Sequence, residues 1–251
     1  MRRLHWFQND LRLTDNPALA GAQSADSLLC VYLLPRPRPW CNLTGLGPQR
    51  DRFLRESLQE LKTQLQQLGQ ELMVLEGSPE LVLPSVVERY GIEYVTTSFT
   101  AGWYESQGVA FLEEKLPVPL EVFRGNTLFN IEQLPFAIED LPNTFSPFRR
   151  KVEKQVIDRP HSAPESLPPP PAAQFDAIPH AAASPHPGLP LPGGSAAGLR
   201  RLDQFLFQQH GIADYKQTRN DLDGLAGSST LSPWLANGAV SVRTVAHDIF
   251  R

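Results

Sequence analysis

The sequence predicts an α/β fold: a Rossmann-like domain on a five-stranded parallel sheet, then a proline-rich linker and the beginning of an all-α domain. Three observations carry this expectation. Short apolar runs alternate with longer helix-like stretches over residues 1–125. Proline crowds into residues 158–198. Helical spacing of apolar residues resumes from Leu199.

The five expected strands are Leu4 to Phe7, Ser27 to Leu34, Glu71 to Leu75, Glu93 to Thr97 and Leu120 to Phe123. The second is apolar on both faces, as buried parallel strands are. Between them, Arg50 to Leu68 places Leu54, Leu58, Leu61, Leu65 and Leu68 at alternating steps of four and three, with Gly69 as the stop. The run covers about two heptads, short of a coiled coil, so a helix packed on a sheet is the better reading. Ser78-Pro79 opens another helix through Leu81, Leu83, Val86 and Val87, with Pro84 inside it as a candidate kink. Strands and helices joined this closely imply right-handed crossovers and a sheet covered on both faces. Where a dinucleotide fold would carry Gly-x-Gly-x-x-Gly, the first strand is followed by Gln8-Asn9-Asp10-Leu11, which removes the main support for conventional NAD binding.

The prolines of residues 158–198 leave no room for helix or central strand, and the segment is expected to be a semi-rigid interdomain linker. Phe175, Ile178, Leu189 and Leu191 are expected to lay parts of it along the protein surface. Beyond it, Leu199, Leu202, Phe205 and Leu206 share a helix face, and Leu235, Val240 and Val245 mark a second helical region broken at Asn237-Gly238. A further helix begins near Val242. Some fifty residues of helix do not easily form a core alone, so this segment reads as unfinished. The expected division is 1–157, 158–198 and 199–251.

Composition narrows the class. No run approaches the ~18 apolar residues of a membrane span, and the apolar stretch after Met1-Arg2-Arg3 is too short for a signal peptide. Cys30 and Cys41 are too few for a disulfide framework and lack metal-site spacing. A soluble, cytoplasmic protein is expected. The net charge of −4 argues against broad nucleic-acid affinity while leaving room for a local basic groove.

Specific stretches carry a resemblance. Trp6-Phe7-Gln8-Asn9-Asp10-Leu11-Arg12-Leu13-Thr14-Asp15-Asn16-Pro17-Ala18-Leu19 is similar to the opening of photolyases and cryptochromes, with Gln8 where that family usually has arginine. On their own, Asp10, Arg12 and Asp15 also read as a turn and a helix cap. Gly47 to Leu68, through Arg50, Phe53-Leu54 and Glu56-Ser57-Leu58, resembles the second helix of the cryptochrome-DASH branch. Leu141-Pro142-Asn143-Thr144-Phe145-Ser146-Pro147-Phe148-Arg149-Arg150-Lys151-Val152-Glu153 resembles the stretch that closes that branch's antenna domain. Its basic triplet reads either as a phosphate contact or as a solvated helix face, the second being favoured.

Ala213-Asp214-Tyr215-Lys216-Gln217-Thr218-Arg219-Asn220, followed by Ser228-Ser229-Thr230-Leu231-Ser232-Pro233-Trp234-Leu235-Ala236-Asn237-Gly238, resembles the start of the family's FAD-binding domain. The resemblance implies that Tyr215, Ser228, Ser229, Thr230, Leu231 and Ser232 contact FAD. The chemistry agrees: three hydroxyls in a row offer donors, and Ser232-Pro233 reads as a cap and first turn whose free N–H groups suit an anion. Glu105, after Gly102-Trp103-Tyr104, aligns with an acid that contacts a methenyltetrahydrofolate antenna in some members. The reading as an ordinary acid in a helix's first turn is the favoured one.

By resemblance the activity is blue-light-driven repair of cyclobutane pyrimidine dimers, DASH-like in preferring single-stranded DNA, by a monomer acting on UV-damaged DNA. A non-enzymatic cryptochrome photoreceptor shares every motif. A free-standing nucleotide-binding domain built from residues 1–157 is the third possibility. The chain reads as truncated within the FAD-binding domain, and none of Trp6, Trp40, Trp103 and Trp234 matches the family's electron-relay positions. The 251-residue chain is therefore expected to hold FAD weakly or not at all.

Overall fold

The computed structural model describes residues 1–34, 45–188, 190–218, 220 and 227–250. Trp40, Cys41, Leu189 and Arg219 lie outside the described residues. Five strands, β1 (Arg2–Phe7), β2 (Ser27–Leu34), β3 (Leu72–Glu76), β4 (Tyr94–Ser98) and β5 (Leu120–Phe123), form one sheet in the order β3-β2-β1-β4-β5. Every pairing is parallel. The α/β expectation holds, with strand edges moved by one or two residues.

The period-two alternation of a strand divides the apolar residues between two faces. Leu4, Trp6, Leu29, Val31, Met73 and Val95 point to one side, beneath α3 (Pro79–Tyr90) and α4 (Trp103–Lys115). Phe7, Leu28, Cys30, Tyr32 and Leu72 point to the other. There α1 (Pro17–Gly21) and α2 (Pro48–Gln67) cover them with Leu19, Leu54, Leu58, Leu61 and Leu65. α2 stops at Gly69, whose φ of +73° only glycine adopts readily. α3 runs unbroken through Pro84, held by the buried stripe Leu83, Val86 and Val87. Leu81, expected on that stripe, is 72% exposed, because two residues from Leu83 is about 200° around a helix.

The proline-rich segment is part of this fold. The Pro169 carbonyl accepts from Leu28 N at 3.1 Å, on the edge of β2 that β3 leaves unpaired. Gln70 Nε2 donates to the Pro168 carbonyl at 2.7 Å. Leu167 and Ile178 are buried in the α1–α2 core, and Phe175 packs against the opposite one. Leu167 was not among the linker residues expected to dock.

After β5 come short turns and α5 (Phe145–Val152), and helix returns with α6 (Ser195–Asp203), which begins inside the stretch expected to be linker. α6 continues into a π turn at Gln204–Gln208, and α7 (Tyr215–Thr218), α8 (Ser232–Ala236) and α9 (Val242–Ile249) follow. Ala197, Leu202, Phe205, Leu206, Leu231, Trp234, Ala239 and Val240 form a third core, which reaches the sheet domain through Phe53 of α2. The Phe53 and Trp234 rings meet edge to face at 5.6 Å. The buried arc of α6 centres on Gly198, Arg201 and Phe205, which leaves Leu199 at its margin, 43% exposed rather than in the core. α2 also caps α6: Glu56 accepts from Gly193 N, Ser57 from Gly194 N, and Glu60 from Ala196 N at 2.9 Å. Among the described residues no helix is long and apolar enough to cross a membrane.

Candidate functional site

In this strand order the topological switch lies between β1 and β4, and the crevice outside their carboxyl ends is where open α/β sheets bind ligands. Here the chain fills that crevice itself. Asp10, fully buried, accepts from Gln8 N at 2.8 Å, Ser98 Oγ at 2.6 Å and Asn16 Nδ2 at 3.2 Å. The Asn237–Gly238 turn sits against it, with Leu11 N donating to the Asn237 carbonyl. This arrangement weighs against a free-standing nucleotide domain built from residues 1–157.

The N-terminal motif is a clasp. Arg12 Nη1 donates to the Gly238 carbonyl at 2.8 Å, and Nη2 to the Asp15, Gly125 and Asn126 oxygens at 2.9, 2.9 and 3.0 Å. Burial pulls its guanidinium below the ordinary value, against the opposing fields of Asp10 and Asp15. Asp15, also fully buried, pairs with Arg243 of α9 through Nη2 at 2.7 Å and Nε at 3.0 Å. It further accepts from Ser241 Oγ and His161 N. The helix-cap reading fits only Asn16, whose Oδ1 accepts from Leu19 N at 3.0 Å. Ser241 and Arg243 were not found from the sequence.

Beneath Asp10 lies His5, fully buried, with Nδ1 3.0 Å from Thr96 Oγ1 and its ring edge to face with Phe7. Its Nε2 has no hydrogen bond among the described residues and stands 3.7 Å from Asp10 Oδ2. Burial lowers the imidazole from 6.5 to about 4, the nearby carboxylate opposing. The folded value is the depressed one, so below about pH 6.5 the unfolded chain takes a proton that the folded chain refuses. Stability is expected to fall as pH drops from 6.5 through about 4. The full loss is about 3 kcal/mol from this residue. Urea midpoints measured across that window, for the parent and His5→Gln, check it. Equal acid sensitivity in both would remove His5 as the cause.

The hydroxyl loop lies between α7 and α8. A side chain at Gly227 would meet the Thr218 carbonyl at 2.8 Å, so the end of α7 abuts the loop's start. Arg201 of α6 holds it: Nη2 donates to the Ser228 carbonyl at 2.6 Å. Nε donates to the Ser229 carbonyl at 3.0 Å and Thr230 Oγ1 at 2.9 Å. Thr230, at φ +52°, donates its hydroxyl to the Ser229 carbonyl at 2.7 Å. Ser228 Oγ accepts from Thr230 N at 3.2 Å, which leaves its own proton to give. The hydroxyls of Ser229 and Ser232 bond nothing among the described residues. Two hydroxyl donors on the loop and a third on the first residue of α8 fit a diphosphate.

The sequence-predicted residues therefore separate. Ser228, Ser229 and Ser232 keep hydroxyl protons without a partner among the described residues, while Thr230 is engaged within the loop. Leu231 is buried in the helical core and is itself the N-cap of α8, so Ser232 is not the cap expected of it. Leu231 already has helical φ and ψ, which starts the helix one residue early. Tyr215 opens α7 and is 46% exposed, its hydroxyl without a partner among the described residues. Arg201 was missed, because an arginine next to Leu202 in an amphipathic helix is assigned to solvent. Glu105 lies in the first turn of α4, and a side chain at Gly102 would meet its Oε2 at 2.1 Å. Its carboxylate is thus folded over its own helix start. In α5 the cations Arg149, Arg150 and Lys151 are exposed, Arg149 3.5 Å from Glu153 and Lys151 5.1 Å from the centre of the Phe136 ring.

Fold and site together define a doubly wound α/β domain clasped to helices that carry an anion-suited loop. The family model for DNA photolyase matches residues 3–171, and the chain belongs to that family. Its curated relatives include the cryptochrome DASH of Idiomarina loihiensis, 34% identical over 95% of this chain and 54% of that protein. That of Gloeobacter violaceus is 35% identical over 98% of this chain and 52% of its own length. The chain spans about half the length of these relatives. A crystal structure of a Synechocystis cryptochrome superposes with a TM-score of 0.91 at 31% identity, covering 100% of this chain and 56% of that one. A class III photolyase of Agrobacterium tumefaciens gives 0.78 at 23% identity, over 98% and 52%, a likeness of fold.

Proposed function

We propose that Ser228, Ser229 and Ser232, together with Tyr215, receive the diphosphate of FAD. We infer further that this chain serves blue-light-driven repair of cyclobutane pyrimidine dimers, DASH-like in favouring single-stranded DNA. One observation supports this above the rest: a loop whose carbonyls turn inward onto Arg201 while its serine hydroxyls remain free to donate. FAD, when bound, supplies the light-driven electron chemistry. The residues assigned here would hold its phosphates. Glu105 is assigned to its own helix start rather than to a folate.

Contacts for the phosphates alone make a weak flavin site. ADP, the phosphate-bearing part of FAD, is expected to shift the amide resonances of Ser228 to Ser232 at millimolar concentration, and Ser228→Ala is expected to weaken that response about tenfold. Shifts confined to other residues would overturn the assignment. FAD is expected to leave the 251-residue chain on gel filtration. Stoichiometric retention, with splitting of a thymine dimer in an oligonucleotide under blue light, would show that a phosphate-only site is too small a description.

A further inference from the structure

We propose that Arg201 is the positioning residue of the phosphate loop, a role that rests on the reading of Ser228 to Ser232 as the diphosphate site. A loop of consecutive residues presents carbonyl oxygens as well as N–H and hydroxyl groups, and an outward carbonyl repels a phosphate. Here the Ser228 and Ser229 carbonyls are both drawn onto one guanidinium, at 2.6 and 3.0 Å. The fork is planar and its donors are fixed relative to one another, so both carbonyls are turned in a single direction.

The same group decides which hydroxyl serves. Arg201 Nε donates to Thr230 Oγ1 at 2.9 Å, and Thr230 Oγ1 donates in turn to the Ser229 carbonyl at 2.7 Å. Thr230 therefore has no proton left for a ligand, although its type and place in the run make it look equivalent to the serines. Its φ of +52° is a left-handed conformation that disfavours a non-glycine residue, and these bonds hold it there. Arg201 is itself fixed: α6 turns it inward, 9% exposed, Nη1 donates to Gln209 Oε1 at 3.1 Å, and the cation lies 5.8 Å from the Phe205 ring centre. Through Glu60 and Ser57 at its N-terminus, α6 is tied to α2 and so to the sheet domain. The loop's shape is thereby set from the α/β part of the molecule.

The full chain and the variants Arg201→Gln, Arg201→Lys and Thr230→Val are compared in two measurements. Amide hydrogen exchange without ligand reads the loop; ADP titration followed by amide shifts reads the site. Arg201→Gln is expected to speed exchange at Ser229 to Leu231 and to weaken the ADP response, each by about tenfold or more, the equilibrium worth of a lost charged hydrogen bond. Arg201→Lys keeps the stem and the charge but lacks the fork, and is expected to rescue neither. Thr230→Val is expected to loosen the loop and to keep the residual ADP response dependent on Ser228. A lysine variant equal to the parent in both measurements overturns the proposal, as does a loosened loop with unchanged ADP binding. If the parent itself gives no ADP shifts at this loop, the diphosphate reading and the ligand half of the proposal fail together. The ligand-free exchange then still decides whether Arg201 sets the loop.

Discussion

Asp15→Asn is expected to destabilise the chain by about 3–5 kcal/mol, the cost of breaking a buried ion pair from one side. Among the described residues, the four groups that bond the Asp15 carboxylate are all donors. Arg243 Nη2 and His161 N point at Oδ1, Arg243 Nε and Ser241 Oγ at Oδ2. An asparagine satisfies one pair with its carbonyl and must set its NH2 against the other. Arg243, 3% exposed, is left as a buried cation without its counter-charge. The backbone does not confuse the comparison, because Asp15 sits at φ 55°, a region asparagine tolerates as well as aspartate. Thermal denaturation should show a fall on the order of 10 °C. Trp234 fluorescence should report loss of the helical part at or before loss of the sheet, since the clasp joins the two. Adding Arg243→Met to Asp15→Asn should recover part of the loss, and the cycle of single and double variants isolates the pair. A single-variant cost within about 0.5 kcal/mol of zero would place the pair among exposed, weak ones and contradict the burial.

Much of the sheet domain is legible because each element announces itself locally. The run Ser27 to Leu34 is apolar on both faces and becomes the buried β2, and Gly69 stops α2 where the leucine stripe ends. The clasp is not legible in that way. Its halves, Asp15 and Arg243, lie 228 residues apart, and nothing in a helix starting at Val242 marks one arginine as buried. The resemblance marked Asp10, Arg12 and Asp15 as a specific run, but local chemistry offers only a turn and a cap, and only Asn16 caps. The loop at Ser228 shows the converse. Residue type groups Thr230 with the serines, and only the placement of Arg201 separates a hydroxyl spent inside the loop from those still able to donate. Burial of Leu167 follows from packing that periodicity does not encode, whereas the exposure of Leu81 is what a step of about 100° per residue gives.

Gly238→Ala is expected to cost on the order of 3–5 kcal/mol, from a left-handed backbone and the loss of a charged hydrogen bond together. Gly238 stands at φ +71°, and a Cβ there would lie 1.9 Å from the Asn9 carbonyl oxygen, 2.4 Å from its carbon and 2.6 Å from Asp10 Cα. All three atoms are backbone, so no rotamer change makes room. The turn must lift off the loop after β1, and the bonds from Leu11 N to Asn237 and from Arg12 to the Gly238 carbonyl part with it. Gly69→Ala separates the two contributions, since Gly69 has nearly the same φ, +73°, and none of the described residues comes within 4 Å of where a Cβ would stand. That variant is expected to lose about 1–2 kcal/mol, the conformational share alone. The difference between the two melts then measures how closely the helical segment is seated in the switch-point crevice. Equal losses would mean that the crevice yields to a methyl group, and the clasp at Asp15 would have to hold the two parts without it.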